Sequence, residues 1–360
     1  MERFQCGTKI IAGPGALSAL KKMNPGRMLI VADPYFIKNG TVGRITELAG
    51  AEAVEIFDEV KPDPTVELAA RGTALVKSFQ PDLIVALGGG STMDCAKAMA
   101  YFAGGTYRLA AVPTTSGSGS EVTDFAILTH EGIKTPLVDR KLQPDVAILD
   151  GELLAELPPA LIADAGFDVL SHAMEALAAT GAGDFTDSLA CSAFAAVYGH
   201  LAESFRGDRS VRQEIHTAAA MAGLAFNQAG LGLCHSLSHA LGGLFHVPHG
   251  RLNAILLPEI IGVNTEKVQE KYARAARMAG FPGSADAMAV RALRNGLVKL
   301  RRELQMPATL AQAGIAPGDI RTNTEKIVKA VLADPCSASN PVKVEGAVVR
   351  TVLQQVTGHG

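Results

Sequence analysis

The chain has no tryptophan, only five tyrosines and an aromatic content of 5% over 360 residues. So few rings leave no stacking platform for bases, which excludes the common single-strand nucleic-acid readers. Charge of one sign is also lacking: 33 basic against 36 acidic residues give a net −3, with no field to attract a polyanion or an anionic membrane. The five cysteines (Cys6, Cys95, Cys191, Cys234 and Cys336) are far apart and form no CxxC pair. An odd, sparse set predicts reduced thiols rather than a disulfide frame. No apolar run approaches the ~20 residues that span a bilayer. The opening MERFQCGTKIIAG has neither the basic segment nor the apolar core of a signal peptide. These absences predict a cytoplasmic protein that partners neither nucleic acid nor membrane.

What is present is length enough for two domains and two textures of hydrophobic pattern. Up to about Asp150, short β-branched runs alternate with helical stretches. RMLIVAD (27–33), AVEIFDEV (53–60), PDLIVALGGGS (81–91), RLAAVPTTSG (108–117) and PDVAILD (144–150) read as strands, with helices at 66–79 and 92–103. That alternation predicts a parallel sheet covered by helices on both faces. Around LPPALIADAG (157–166) the texture becomes Ala- and Leu-rich with helical period and no convincing strand. The expected organisation is an α/β domain over 1–155 followed by an all-α domain over 156–360.

In the first half, a strand running into Gly88, Gly89, Gly90 and Ser91 and then a helix offers exposed backbone N–H groups to a phosphate. It is not GxGxxG, and a Gly-rich turn alone is weak. A second cluster, PTTSGSGSEVT (113–123), follows the next strand, and ligands of open α/β sheets bind beyond strand C-termini. Thr114, Thr115 and Ser118 there are candidates to bond a nicotinamide, a ribose or a pyrophosphate. Asp33 closes the first predicted strand, where a carboxylate accepts from ribose hydroxyls and repels a 2′-phosphate. This favours NAD over NADP.

In the second half, Asp168 and His172 are spaced i, i+4 and share one helix face. Farther on, His235, His239, His246 and His249 fall within fifteen residues, although the whole chain has only nine histidines. His235 and His239 repeat the i, i+4 spacing, and His249 follows a Pro turn able to fold it back. One carboxylate with two or three imidazoles suits a first-row divalent metal. His246, between Phe and Val, is the member best explained as structural.

Together, KIIAGPGAL, GGGSTMDCAKA, PTTSGSGSEVT, the aspartate–histidine helix, the PHG turn and DPCSASNP (334–341) resemble the iron-containing (group III) alcohol dehydrogenase family along essentially the whole chain. Within it, AGDFTDSLA and NQAGLGLCH are most similar to the 1-propanol dehydrogenases of propanediol-utilisation microcompartments. The resemblance implies a dehydroquinate synthase-like fold, with an α/β dinucleotide-binding domain and an all-α metal-binding domain. It implies metal ligands Asp168, His172, His235 and His249, with His239 beside the metal as the catalytic proton carrier and Phe226 lining the substrate pocket. The cofactor set it implies is Asp33, Asp63, Gly89, Gly90, Ser91, Asp94, Thr114, Thr115, Ser118 and Lys134. Thr92 replaces the usual proline after GGGS, and the usual NPR reads Asn340-Pro341-Val342; neither change touches a ligand.

The implied activity is a Fe²⁺- or Zn²⁺-dependent exchange of hydride between a short-chain primary alcohol or aldehyde, such as propionaldehyde, and NAD. A homodimer is implied as well, and microcompartment proteins become candidate partners. The alternatives are a glycerol-dehydrogenase-like polyol oxidoreductase and a non-catalytic microcompartment-associated protein. Lyases and metal-free reductases of the same architecture fit less well. The lyases need several basic side chains for an anionic substrate, and the metal-free reductases would not need the full Asp-His-His-His set.

Overall fold

The computed structural model describes residues 4–130 and 133–358, and the chain divides into two compact units, residues 5–156 and the residues from Leu157 onward together with Phe4. Among its described residues the first unit carries eight strands: β1 (Lys9–Ala12), β2 (Arg27–Ala32), β3 (Ala53–Phe57), β4 (Leu83–Gly88), β5 (Arg108–Pro113), β6 (Phe125–His130), β7 (Ile133–Val138) and β8 (Val146–Leu149). Its helices are α1 (Pro34–Lys38), α2 (Thr41–Ala49), α3 (Val66–Phe79) and α4 (Gly90–Ala103). Six strands form a parallel sheet in the order β1-β8-β5-β4-β2-β3, while β6 and β7 make a separate antiparallel hairpin.

The near-continuous apolar runs of the sequence are explained by burial on both faces. Met28, Ile30, Leu83, Val85 and Leu87 point to one face, against Val42 and Ile45 of α2. Leu29, Val31, Ile84 and Ala86 point to the other, against Leu68 and Val76 of α3 and Met93, Ala96 and Met99 of α4. The helix pair after β2 thus packs on one face and the helix after β4 on the opposite one. Adjacent strands whose connections leave to opposite faces define a switch point, with a crevice at their C-terminal ends. The last β2–β4 pair is Ala32 with Leu87, so Asp33 and Gly88 are the next residues on the two strands that flank the crevice.

The second unit is all helix among its described residues: α5 (Pro159–Ala178), α6 (Asp184–Phe205), α7 (Arg212–Ala229), α8 (Leu233–Phe245), α9 (His249–Met278), α10 (Asp286–Glu303), α11 (Pro317–Ala333), α12 (Pro335–Ala338) and α13 (Gly346–Thr357). Phe4 joins this unit, its ring stacked on Phe185 at 5.7 Å. Among the described residues, no helix is long and apolar enough to cross a membrane.

Helix α9 begins at His249 and contains Pro258. Proline has no N–H, so the carbonyl of Ala254, four residues earlier, loses its intrahelical donor. Arg301, on α10 and almost fully buried, supplies it: its Nη1 donates to Ala254 O at 3.1 Å. Arg301→Leu should therefore destabilise the protein by about 1–3 kcal/mol, the cost of a buried unsatisfied carbonyl. Pro258→Ala restores the missing N–H, so the double variant should lose less than the sum of the two single losses. Strict additivity in denaturant unfolding would contradict this pairing.

Candidate metal centre and nucleotide-binding loops

Helix α5 starts with Pro159 at its first position, where the missing N–H costs nothing. Asp168, His172 and Glu175 then lie at i, i+4 and i+7 on one face. The Oδ1 atom of Asp168 is 3.8 Å from His172 Nε2, 3.8 Å from His235 Nε2 and 3.5 Å from His249 Nε2. It also accepts from Asn253 Nδ2 at 2.8 Å. The ligand atoms of Asp168, His172 and His235 all fall within 4.8 Å of one another. The His172 ring stacks on His235 (4.6 Å) and, within 4.4 Å, on Phe226, which is buried.

His235 tests whether an ion fits. Its Nδ1 is 2.6 Å from Glu175 Oε2, and a carboxylate only accepts, so Nδ1 carries the proton and Nε2 the lone pair. That Nε2 is buried with no hydrogen-bond partner among the described residues. Leaving such an atom unpaired costs about 1–3 kcal/mol, unless a cation occupies the position. Three imidazole nitrogens and one carboxylate are a donor set for Fe²⁺ or Zn²⁺. Without an ion, a proton on Nε2 meets the same demand: burial draws the His235 imidazole down, but the bonds and charges of Asp168 and Glu175 outweigh it and bring it up to about 9. Burial likewise works to raise Asp168, yet His172, His249 and His235 hold it well below the carboxylate range. The site calls for positive charge.

His239 stands next to this group, stacked on His249 at 5.2 Å. Its Nδ1 pairs with Asp334 Oδ2 at 2.8 Å, which leaves Nε2 for other work. Burial opposes the Asp334 charge, but the bond to His239 prevails and holds its carboxyl at about 2. His246 is apart from the cluster, an exposed left-handed residue at the C-cap of α8.

In the first unit, close approach favours glycine most at Gly88, next at Gly90 and least at Gly89. A Cβ on Gly88 would meet Thr92 Oγ1 at 2.3 Å, one on Gly89 would meet Thr115 Oγ1 at 3.2 Å, and one on Gly90 would meet Ser118 Oγ at 2.9 Å. Thr114 N bonds Gly88 O at 2.9 Å, so the two loops after β4 and β5 are built against each other. With the N-terminus of α4 opening from Gly90, they present backbone amides suited to an anion. Ser91 Oγ accepts from Asp63 N at 3.3 Å, and Asp63 pairs with Lys134 at 2.6 Å. Asp33 caps α1, its Oδ1 accepting from Tyr35 N at 2.8 Å. Asp94 differs from the others in being buried with both oxygens engaged inside the protein: Oδ1 accepts from Ser120 Oγ (2.6 Å) and Oδ2 from Ile127 N (3.1 Å).

Both halves of the chain match one family of known proteins. Residues 7–151 match the family described as iron-containing alcohol dehydrogenase, and residues 162–357 match the C-terminal part of the Fe-containing alcohol dehydrogenase family. The chain belongs to the iron-containing alcohol dehydrogenase family. It is 35% identical to an NADPH-dependent butanol dehydrogenase of Clostridium saccharobutylicum, over 99% of this chain and 98% of the relative. Identity to the 1-propanol dehydrogenase PduQ of Salmonella typhimurium is 36%, over 99% and 100%. An iron-containing alcohol dehydrogenase structure from Thermococcus thioreducens superimposes with a TM-score of 0.91 at 32% identity, covering 98% and 99% of the two chains.

The family motifs include Asp334 and Asn340 but do not reveal that such residues hold the histidines in place. Glu175 bonds the N–H groups of Gly232 (2.9 Å), Cys234 (2.6 Å) and His235 (3.2 Å), and Asn340 Oδ1 takes that of Leu233 (3.2 Å). The otherwise unpaired amides at the start of α8 are thus capped from elsewhere in the fold. Only the position of Glu175, seven residues after Asp168, hinted at this. Glu175→Gln removes the charge and turns one of the two oxygens, which together accept from Gly232, Cys234 and His235, into an NH2 donor. Metal retention against a competing chelator should fall about 10–100-fold, as when other carboxylates behind metal-bound histidines are lost. Wild-type retention would show that Glu175 has no part in ligand orientation.

Proposed function

We propose that the protein is a metal-dependent alcohol dehydrogenase that interconverts a short-chain primary alcohol and its aldehyde using NAD(H). The working direction we propose is aldehyde reduction, with a substrate such as propionaldehyde. The observation that carries this reading is the convergence of His172, His235 and His249 on Asp168, with the buried His235 Nε2 unsatisfied. These four side chains would hold Fe²⁺ or Zn²⁺, which supplies Lewis acidity toward the substrate oxygen. The nicotinamide supplies or accepts the hydride. Phe226 offers an apolar wall beside His172, in keeping with a small alkyl substrate. His239, fixed through Nδ1 by Asp334, presents Nε2 to carry the proton between the substrate oxygen and water.

For the dinucleotide, the switch point between β2 and β4 supports Gly89, Gly90 and Ser91 at the pyrophosphate, with Thr114, Thr115 and Ser118 at the ribose and nicotinamide. Asp63 and Lys134 flank the same turn through Ser91, and Asp94 acts from beneath it. Asp33 is our basis for NAD, although the butanol dehydrogenase relative is NADPH-dependent. A cytoplasmic homodimer belongs to the same proposal. Enclosure with microcompartment proteins follows if propionaldehyde is the substrate, by analogy with the propanol dehydrogenase relatives.

Chelation should abolish NADH oxidation by propionaldehyde, and anaerobic return of either Fe²⁺ or Zn²⁺ should restore it and name the ion. His249→Ala should lose metal and activity together. His239→Ala should keep its metal and lose about 10²–10⁴-fold in rate. A metal-replete, fully active His249→Ala enzyme would sink the ligand assignment. Asp33→Gly should shift the kcat/KM ratio toward NADP by removing the repulsion of a 2′-phosphate; an unchanged ratio would take Asp33 out of that role.

A further inference from the structure

Lys97 is a charged side chain with almost no exposure, 1%, on α4 two turns below the Gly90 end. Its ammonium lies among four oxygens: Ser120 Oγ, Thr123 O and Thr123 Oγ1 at 3.0 Å and Phe125 O at 2.8 Å. All four belong to the segment that continues the Thr114–Ser118 loop into β6. The bonds have a fixed direction. Asp94 can only accept as a carboxylate, so Ser120 Oγ donates to it and turns a lone pair toward Lys97. Asp94 takes a further bond from Ile127 N. Lys97 and Asp94, one turn apart on α4, therefore grip the same segment with opposite charges.

This placement matters because the two loops are in near contact above it. Ser118 Oγ accepts from Ser120 N at 3.3 Å and lies 2.9 Å from where a Cβ on Gly90 would fall. A shift of residues 120–125 relative to α4 would move Ser118 and Thr115 against the glycine turn. Burial pushes the Lys97 ammonium down to about 8. A site that disfavours the charge, yet surrounds it with acceptors, is built around that ammonium.

We propose that Lys97 is a positioning residue for dinucleotide binding: its ammonium ties α4 to residues 120–125 and so fixes the Thr114–Ser118 loop against the Gly88–Ser91 turn. It touches neither ligand nor metal and acts through Ser120 and Thr123. The inference rests on the dinucleotide reading given above.

The test is NADH affinity by fluorescence titration of the holoenzyme, without aldehyde. Lys97→Met keeps the length of the side chain and removes the donor. Its Kd for NADH should rise roughly tenfold or more, as expected for a misplaced loop. KM for NADH should rise with it, while KM for propionaldehyde and the bound metal stay at wild-type values. A purely structural lysine would lower Tm and leave the NADH Kd of the folded protein unchanged, which overturns the proposal. If Lys97→Met does not fold, Ser120→Ala decides, since it removes the bridge and keeps the ammonium. A several-fold weaker Kd supports the proposal, and a Kd within twofold of wild type overturns it. Should the wild-type protein bind no dinucleotide at all, the functional reading itself fails; normal wild-type binding with unaffected variants removes only Lys97.

Discussion

The carboxylate of Glu175 makes the interactions on which the candidate metal centre depends. Helix α8 begins at a Gly-rich turn with no side-chain cap of its own, and its first amides would be buried without partners. Glu175, arriving from α5, accepts three of them and the Nδ1–H of His235 as well. A negative charge is favoured at a helix N-terminus by the aligned peptide dipoles, so forming α8 and fixing the His235 tautomer are one event. Gly232 is part of the same fit, because a Cβ there would come within 2.8 Å of Glu175 Oε1 and 2.7 Å of Asn340 Oδ1.

The α/β unit solves a different problem with different means. Its sheet is apolar on both faces and its loops carry the polar groups, so specificity must come from backbone placement at strand ends. Three consecutive glycines let the turn after β4 approach Thr92, Thr115 and Ser118, and the backbone bond from Thr114 to Gly88 locks the two loops together. Beneath that contact lie an aspartate and a lysine with little exposure to water. Burying such a pair is costly unless its remaining hydrogen bonds are met, and here Ser120, Thr123, Phe125 and Ile127 meet them.

Much of this was legible in the sequence where periodicity or motif density was high. The expected helix at 66–79 is α3 residue for residue, and the five predicted strand runs contain β2, β3, β4, β5 and β8. The hairpin of β6 and β7 and the edge strand β1 were not foreseen. They are partly exposed and lack the long apolar runs that marked the central strands. The histidine cluster showed itself through i, i+4 spacing and local abundance. Asp334, Asn253 and Asn340 did not, because they lie 95, 85 and 107 residues from the groups they hold. Asp94 was visible in its motif, but its inward orientation and its link to Ser120 depend on the fold.

The residues that sequence reading missed share a way of working. Glu175 caps α8 and orients His235; Asp334 caps α12 through Cys336 N and orients His239; Asn253 binds Asp168 and accepts from Ser238. Each satisfies groups that the backbone or core needs satisfied, and each also sets the direction of a side chain at the centre. This coupling makes the site rigid without large side-chain entropy losses at the ligands, since their supporting partners are already fixed by folding. It also explains why pattern alone points to candidate ligands but not to their supports. A ligand must be of one chemical type at one spacing, whereas a cap needs only an acceptor that the fold delivers to the right place.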